Sequence, residues 1–235
     1  MNYESNIIIL HGWGLNGNKY SKLSSLLKQK GCKVFTPDLP GFGAEPLKSE
    51  SMTLGDYIDF VEKFIEKNKI LKPIIIGHSF GGRVAIKYCW KYPKSVSALI
   101  LTGVPVIRNV SLSKKIAFLL SIMGRKIFSI FPSSIENMMR KILYFLLGEW
   151  DYYKAGRLKQ VFKNIVGEDL KGYLREIRIP ILLIWGEEDK TVPAVDIKKI
   201  KQINSTVKEV IIKETGHKLP YDHPALFLDA IISNL

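Results

Sequence analysis

Ile74-Ile75-Ile76-Gly77-His78-Ser79-Phe80-Gly81-Gly82 is the stretch that decides the fold. Its first three residues make an apolar run of the kind a strand covered on both faces requires. Val84, Ala85 and Tyr88 beyond it recur at helical spacing. The chain is therefore expected to pass from strand to helix within Gly-x-Ser-x-Gly at 77–81. A serine on so sharp a turn is strained, and glycine is needed two residues before and after it because strand and helix approach too closely for a Cβ. With glycine at about 7% of residues, the bare pattern would arise by chance in roughly one chain in ten of this length. The strand before it and the helix after it set this instance apart.

Working outward, further short apolar runs lie at Ile7–Leu10, Val34–Phe35, Ala98–Leu101, Ile181–Trp185 and Val210–Ile212. They are read as strands. Amphipathic segments around 17–30, 53–68, 80–92, 194–203 and 224–234 separate most of them, the alternation expected of βαβ units on a parallel sheet. The strands are rich in Ile and Leu, as expected when helices cover both faces.

The rhythm breaks between about Pro105 and Val166. Leu112, Ile116, Leu119 and Met123 recur at helical spacing, as do Ile135, Met138, Met139, Ile142 and Phe145, with Gly124 and Pro132 between them. An ordinary helical subdomain is one reading. Apolar helices without an adjacent strand must bury their faces on something, and the end of the sheet is available, so residues 105–166 are read as a cap inserted in a core formed by 1–104 and 167–235. Eleven basic residues against three acidic give this segment a local excess of eight.

At 235 residues and 46% hydrophobic composition, the chain suits one domain with an insertion. The opening Met1-Asn2-Tyr3-Glu4-Ser5-Asn6 has no basic stretch before a long apolar run, and no later segment approaches the roughly 20 apolar residues of a membrane span. A cytoplasmic protein without stable membrane insertion is expected. The formal net charge of +13 should attract anionic partners. Nucleic acid is not expected, because no zinc-finger, helix-turn-helix or basic-aromatic RNA motif accompanies the charge. Cys32 and Cys89 have no partners at metal-ligand spacing and are read as free buried thiols. No metal or organic cofactor is expected.

A serine hydroxyl is a poor nucleophile at neutral pH, so Ser79 needs a base, and the base needs a third group to hold it. Four histidines are available. His11 and His78 adjoin glycine turns and are read as structural, while His223 beside Pro224 is read as a helix-start residue. His217, in Thr215-Gly216-His217, follows the last strand, where a loop can return it over the sheet edge, and it is the expected base. The strand ending Trp185-Gly186 runs into Glu187, Glu188 and Asp189, three candidate acids. Asp189 is preferred because Gly186 and Pro193 would fix the loop so that its short side chain points toward His217. An oxyanion needs two amide donors, expected from Phe80, next to the serine, and Trp13, in Leu10-His11-Gly12-Trp13-Gly14 after the first strand.

With these residues in view, the chain resembles the α/β-hydrolase superfamily outside the inserted segment. Asp38-Leu39-Pro40-Gly41-Phe42-Gly43, Gly-x-x-Asp-x-x-x-Pro at 186–193, and Gly216-His217 followed by Asp222-x-Pro224-x-x-Phe227 fit the same family pattern. The resemblance implies an α/β-hydrolase fold: a mainly parallel sheet, here of about six strands because only six residues precede the first, with helices on both faces and a helical cap. His11-Gly12-Trp13-Gly14-Leu15-Asn16 together with the 38–43 turn is similar to the esterases that cleave the methyl ester of pimeloyl-acyl carrier protein. That likeness implies a carrier-bound ester as substrate and an acidic acyl carrier protein as partner. Ala44-Glu45-Pro46 departs from the family, where a small hydroxyl residue often follows the turn. Hydrolysis of a small-molecule or carrier-bound ester through an acyl-enzyme is the leading expectation. Thioesterase, perhydrolase and carbon–carbon bond hydrolase chemistry share the triad, and a ligand-binding receptor on the same scaffold or a lipase-like enzyme at anionic membranes are the other classes.

Overall fold

The computed structural model describes residues 5–106 and 155–234. Its strands are β1 (Asn6–Leu10), β2 (Lys33–Phe35), β3 (Ile74–His78), β4 (Ala98–Thr102), β5 (Ile181–Gly186) and β6 (Lys208–Ile212). Its helices are α1 (Ser21–Gln29), α2 (Leu54–Lys67), α3 (Phe80–Lys91), α4 (Lys159–Gly167), α5 (Lys171–Glu176), α6 (Val195–Ile203), α7 (Leu219–Asp222) and α8 (Pro224–Ile232). Each apolar run read from the sequence falls inside one of the six strands.

The strands form one sheet in the order β2-β1-β3-β4-β5-β6, with every neighbouring pair parallel. The chain leaves β1 toward β2 on one side and then crosses to β3 on the other. Loops after β1 and β3 therefore diverge, and a crevice opens at the C-terminal ends of these strands, where sheets of this kind carry their sites. Residues 11–14 follow β1 and Ser79 follows β3.

Side chains alternate across the sheet. Ile8, Leu10, Ile75, Leu99, Leu101, Leu183 and Trp185 face the layer formed by α2, α3, α5 and α6. Ile7, Ile9, Ile74, Ile76, Ile100, Leu182 and Ile184 face Leu23 and Leu27 of α1 and Phe227 and Ile231 of α8. Burying each such aliphatic side chain stabilises the fold by about 1.5–3 kcal/mol, which is why four central strands read as continuous apolar runs. The edge strand β6 departs from this rule: Ile211 is 47% exposed, since an edge strand has a neighbour on one side only.

His223 is the N-cap residue of α8, and Pro224 takes the first helical position, where its missing N–H loses no bond. Helix α5 has no counterpart in the sequence reading, because six residues are too few to show a period. Most of the expected cap, including the helical patterns from Leu112 to Phe145, lies outside the described residues. Its C-terminal end is described, and there Val161 and Ile165 of α4 are buried in the core. Cys32 and Cys89 are buried and unpaired, and burial pushes both thiols up. No helix among the described residues is long and apolar enough to cross a membrane.

Candidate active site

Ser79 occupies the turn between β3 and α3 with φ 51° and ψ −113°, a strained conformation for a residue with a side chain. Its amide donates to the carbonyl of Thr102 at the end of β4, at 3.0 Å. The strain is held in place by backbone packing: a Cβ on Gly77 would lie 2.5 Å from Cα of Gly82, and one on Gly81 would lie 2.2 Å from the carbonyl oxygen of Leu10. The amide of Gly81 instead donates to the carbonyl of His11 at 3.0 Å. Phe80 opens α3, so its N–H has no acceptor within the helix.

The loop after β1 comes alongside. Leu15 N–H donates to the Gly12 carbonyl at 3.2 Å and closes a turn around Trp13 and Gly14, a bond that leaves the Trp13 amide outside it. His11 braces this loop from below. Its Nδ1–H donates to the Gly12 carbonyl, and its Nε2 accepts the Leu39 amide, both at 2.9 Å. Burial lowers its pKa. Asp38 is committed to structure as well, with Oδ1 accepting the Gly17 amide at 2.7 Å and Oδ2 the Ala44 amide at 2.8 Å.

The expected acid and base lie at the far side of the same rim. Asp189 Oδ2 is 2.8 Å from Nδ1 of His217. Its other oxygen accepts the amides of Thr191 and Val192 at 2.9 and 2.8 Å, which fixes the carboxylate's orientation. Trp185 Nε1–H donates to the Val192 carbonyl at 2.9 Å, and the Glu187 and Glu188 amides donate to the carbonyls of Ile212 and Thr215. The acid and base loops are thus laced together. Glu187 and Glu188 point to solvent, whereas the Asp189 side chain is 1% exposed and that of His217 is 18% exposed. The acid is shielded and the base is reachable. Because Nδ1–H faces a carboxylate, Nε2 carries the lone pair.

His217 reaches the serine's neighbourhood through Gly103. A Cβ there would lie 2.6 Å from Cε1 of His217, and Gly103 directly follows the residue that accepts the Ser79 amide. Ser79, His217 and Asp189 thus lie on adjoining loops, and the rings of Trp13 and Phe80, the two expected oxyanion residues, are in contact.

Other residues here escaped the sequence reading. The ring of Trp13 meets those of Phe42, Phe80 and Phe162 edge-on at 5.0, 5.5 and 5.0 Å, making an aromatic wall beside the serine. Arg83 is buried on α3, and its guanidinium donates to the carbonyls of Pro105, Ile165 and Glu168, at both ends of the inserted segment. A basic residue amid Val84, Ala85 and Ile86 was its only sequence signal. A cleft of about 570 Å³ lies elsewhere, between the end of β2 and α2, lined by Lys48, Phe60, Lys63 and Lys67 among others, and none of the expected catalytic residues borders it. Concavity alone does not locate this chemistry.

Comparison with known proteins gives the same fold. The family model described as alpha/beta hydrolase fold matches residues 6–128, more than half of the chain. A pimeloyl-[acyl-carrier protein] methyl ester esterase of Wigglesworthia glossinidia brevipalpis is 28% identical over 96% of this chain and 92% of its own length. Among solved structures, an esterase from Exiguobacterium antarcticum superposes with TM-score 0.74 at 19% identity, over 97% of this chain and 91% of the other. A bromoperoxidase from Bacillus anthracis does so with TM-score 0.75, also at 19% identity, over 98% and 91%. Two differently named enzymes fit equally well, so the fold by itself does not select a reaction.

Proposed function

Given that the chain belongs to the alpha/beta hydrolase fold family and is an esterase-type enzyme, we propose that it cleaves a carboxylic ester through an acyl-enzyme, with Ser79 as nucleophile, His217 as base and Asp189 as orienting acid. The observation that carries this reading is the 2.8 Å contact between Asp189 and Nδ1 of His217, which leaves Nε2 bare on an imidazole packed against Gly103, the residue after the one that accepts the Ser79 amide. Nε2 takes the Ser79 proton as Oγ attacks the ester carbonyl. The amides of Trp13 and Phe80 hold the oxyanion. The imidazolium, stabilised by the buried carboxylate, then gives its proton to the leaving alkoxide and an alcohol departs. Water, deprotonated by the same nitrogen, attacks the acyl-serine. A second tetrahedral intermediate collapses to the free acid, and Ser79 recovers its proton.

Ser79→Ala is expected to lower kcat on an activated ester by at least about 10⁴-fold with the fold unchanged. A purified, folded variant with the parent rate would defeat the assignment.

The finer proposal is an ester carried on an acidic acyl carrier protein. Likeness to the pimeloyl-carrier esterase supports it, as does the excess of eight positive charges between 105 and 166. Charge attraction of this kind is screened by salt. The kcat/KM for an acyl-carrier-protein methyl ester should exceed that for the matching small methyl ester at low salt and fall toward it as salt rises. Equal values at low salt would remove the carrier protein from the reading.

A further inference from the structure

His78, next to the serine, takes no part in the reaction as written. It is 2% exposed, and burial, helped by neighbouring His217, pushes its pKa down to about 3. The ring is neutral at the pH of catalysis. Its Nε2 lies 3.0 Å from the carbonyl oxygen of His217, and its Nδ1 lies 2.7 Å from the hydroxyl of Tyr20. A carbonyl only accepts, so Nε2 carries the proton and Nδ1 the lone pair, which fixes the tautomer. Tyr20 must then donate to Nδ1, and its oxygen accepts the Gly12 amide at 3.2 Å.

Each bond in this run has a single possible direction: Gly12 N–H to Tyr20, Tyr20 O–H to His78 Nδ1, His78 Nε2–H to the His217 carbonyl. Tyr20 is fully buried, and desolvation holds its phenol far above the ordinary range, so it stays a donor. Tyr221 packs edge-on against both rings at 5.6 and 5.8 Å, with the Lys19 ammonium 4.7 Å above it. The run joins the loop that offers the Trp13 amide, the residue beside the nucleophile, and the backbone of the base.

We propose that His78 and Tyr20 are a positioning pair that fixes the His217 loop relative to the oxyanion loop; the inference rests on the Ser79–His217–Asp189 reading above. The contact with Asp189 holds one edge of the imidazole but leaves the ring free to swing about that contact. The bond from His78 holds the backbone behind it. Together they fix where Nε2 points, and a misplacement of about 1 Å at such a site costs as much as ~10²-fold in rate.

The test is steady-state kinetics on a small activated ester with His78→Leu, His78→Gln and Tyr20→Phe, alongside Ser79→Ala. His78→Leu should lower kcat by about 10- to 100-fold with KM within about threefold of the parent. His78→Gln, which keeps an N–H at the ε position, should recover most of kcat, and Tyr20→Phe should lower it by about 3- to 10-fold. Parent kcat in His78→Leu, with only thermal stability reduced, would make the pair ordinary packing and overturn the proposal. Should His78→Leu fail to fold, the near-isosteric Tyr20→Phe decides in the same way. Activity surviving in Ser79→Ala would instead defeat the triad reading on which the pair depends.

Discussion

The turn that carries Ser79 and the loops that carry Asp189 and His217 are held by opposite means. Around the serine, position depends on what is missing: Gly77, Gly81 and Gly82 lack the carbon that would collide with backbone or with Val104. Around the acid and base, position depends on what is present: two amides on Asp189 Oδ1, the imidazole on Oδ2, the Trp185 indole on Val192 and the Glu188 amide on Thr215. A region held by close approach should be broken by adding one carbon, while a region held by hydrogen bonds should keep its shape and lose function when one partner changes character.

Asp189→Asn tests the second half and should have the largest effect. Asn retains an oxygen for the Thr191 and Val192 amides but can turn an amide N–H toward His217, which favours the wrong tautomer. The expected loss of kcat is on the order of 10³- to 10⁴-fold, with a thermal midpoint close to the parent's; a parent-like kcat would break the comparison. Gly81→Ala tests the first half. Its methyl would sit 2.2 Å from the Leu10 carbonyl oxygen, and the strand-to-helix junction cannot yield without moving Ser79. A destabilisation of about 3 kcal/mol or more in urea unfolding is expected, and an unchanged midpoint would refute the close-packing account.

The smallest effect separates the two regions by pH. An unfolded histidine takes up a proton below about pH 6.5, whereas burial delays this in His78 to about 3 and lowers the pKa of His11 in the same sense. The unfolded chain therefore binds more protons between those values, and stability falls as pH drops through that window, by roughly 1 kcal/mol per pH unit for His78. Urea midpoints from pH 8 down to pH 4 should decline less steeply in His78→Gln than in the parent. Equal slopes would place the acid sensitivity elsewhere.

The same contrast explains how much could be read from the sequence. Close approach leaves a trace in the chain itself, since only glycine satisfies it, and the apolar runs of the central strands are equally legible because both faces are buried. Gly-x-Ser-x-Gly and the four central strands are clear for these reasons, and the edge strands β2 and β6 are legible despite having a neighbour on one side only. The acid turn was legible as three neighbouring carboxylates, yet burial distinguishes Asp189 from Glu187 and Glu188 only once the chain is folded. Tyr20 and Phe162 leave no usable signal, and Phe42 shows only as part of the 38–43 turn, because their roles come from contacts among segments far apart in the chain. His78 reads as structural in the sequence, but its bond to the His217 carbonyl spans 139 positions and no local pattern encodes it.

The most direct test is covalent labelling of the purified protein by a fluorophosphonate, located by peptide mass, in the parent and in His217→Ala. One equivalent on Ser79 in the parent, with labelling nearly abolished when the imidazole is removed, is the predicted result. Modification of another residue, or labelling of Ser79 at the parent rate without His217, would contradict it.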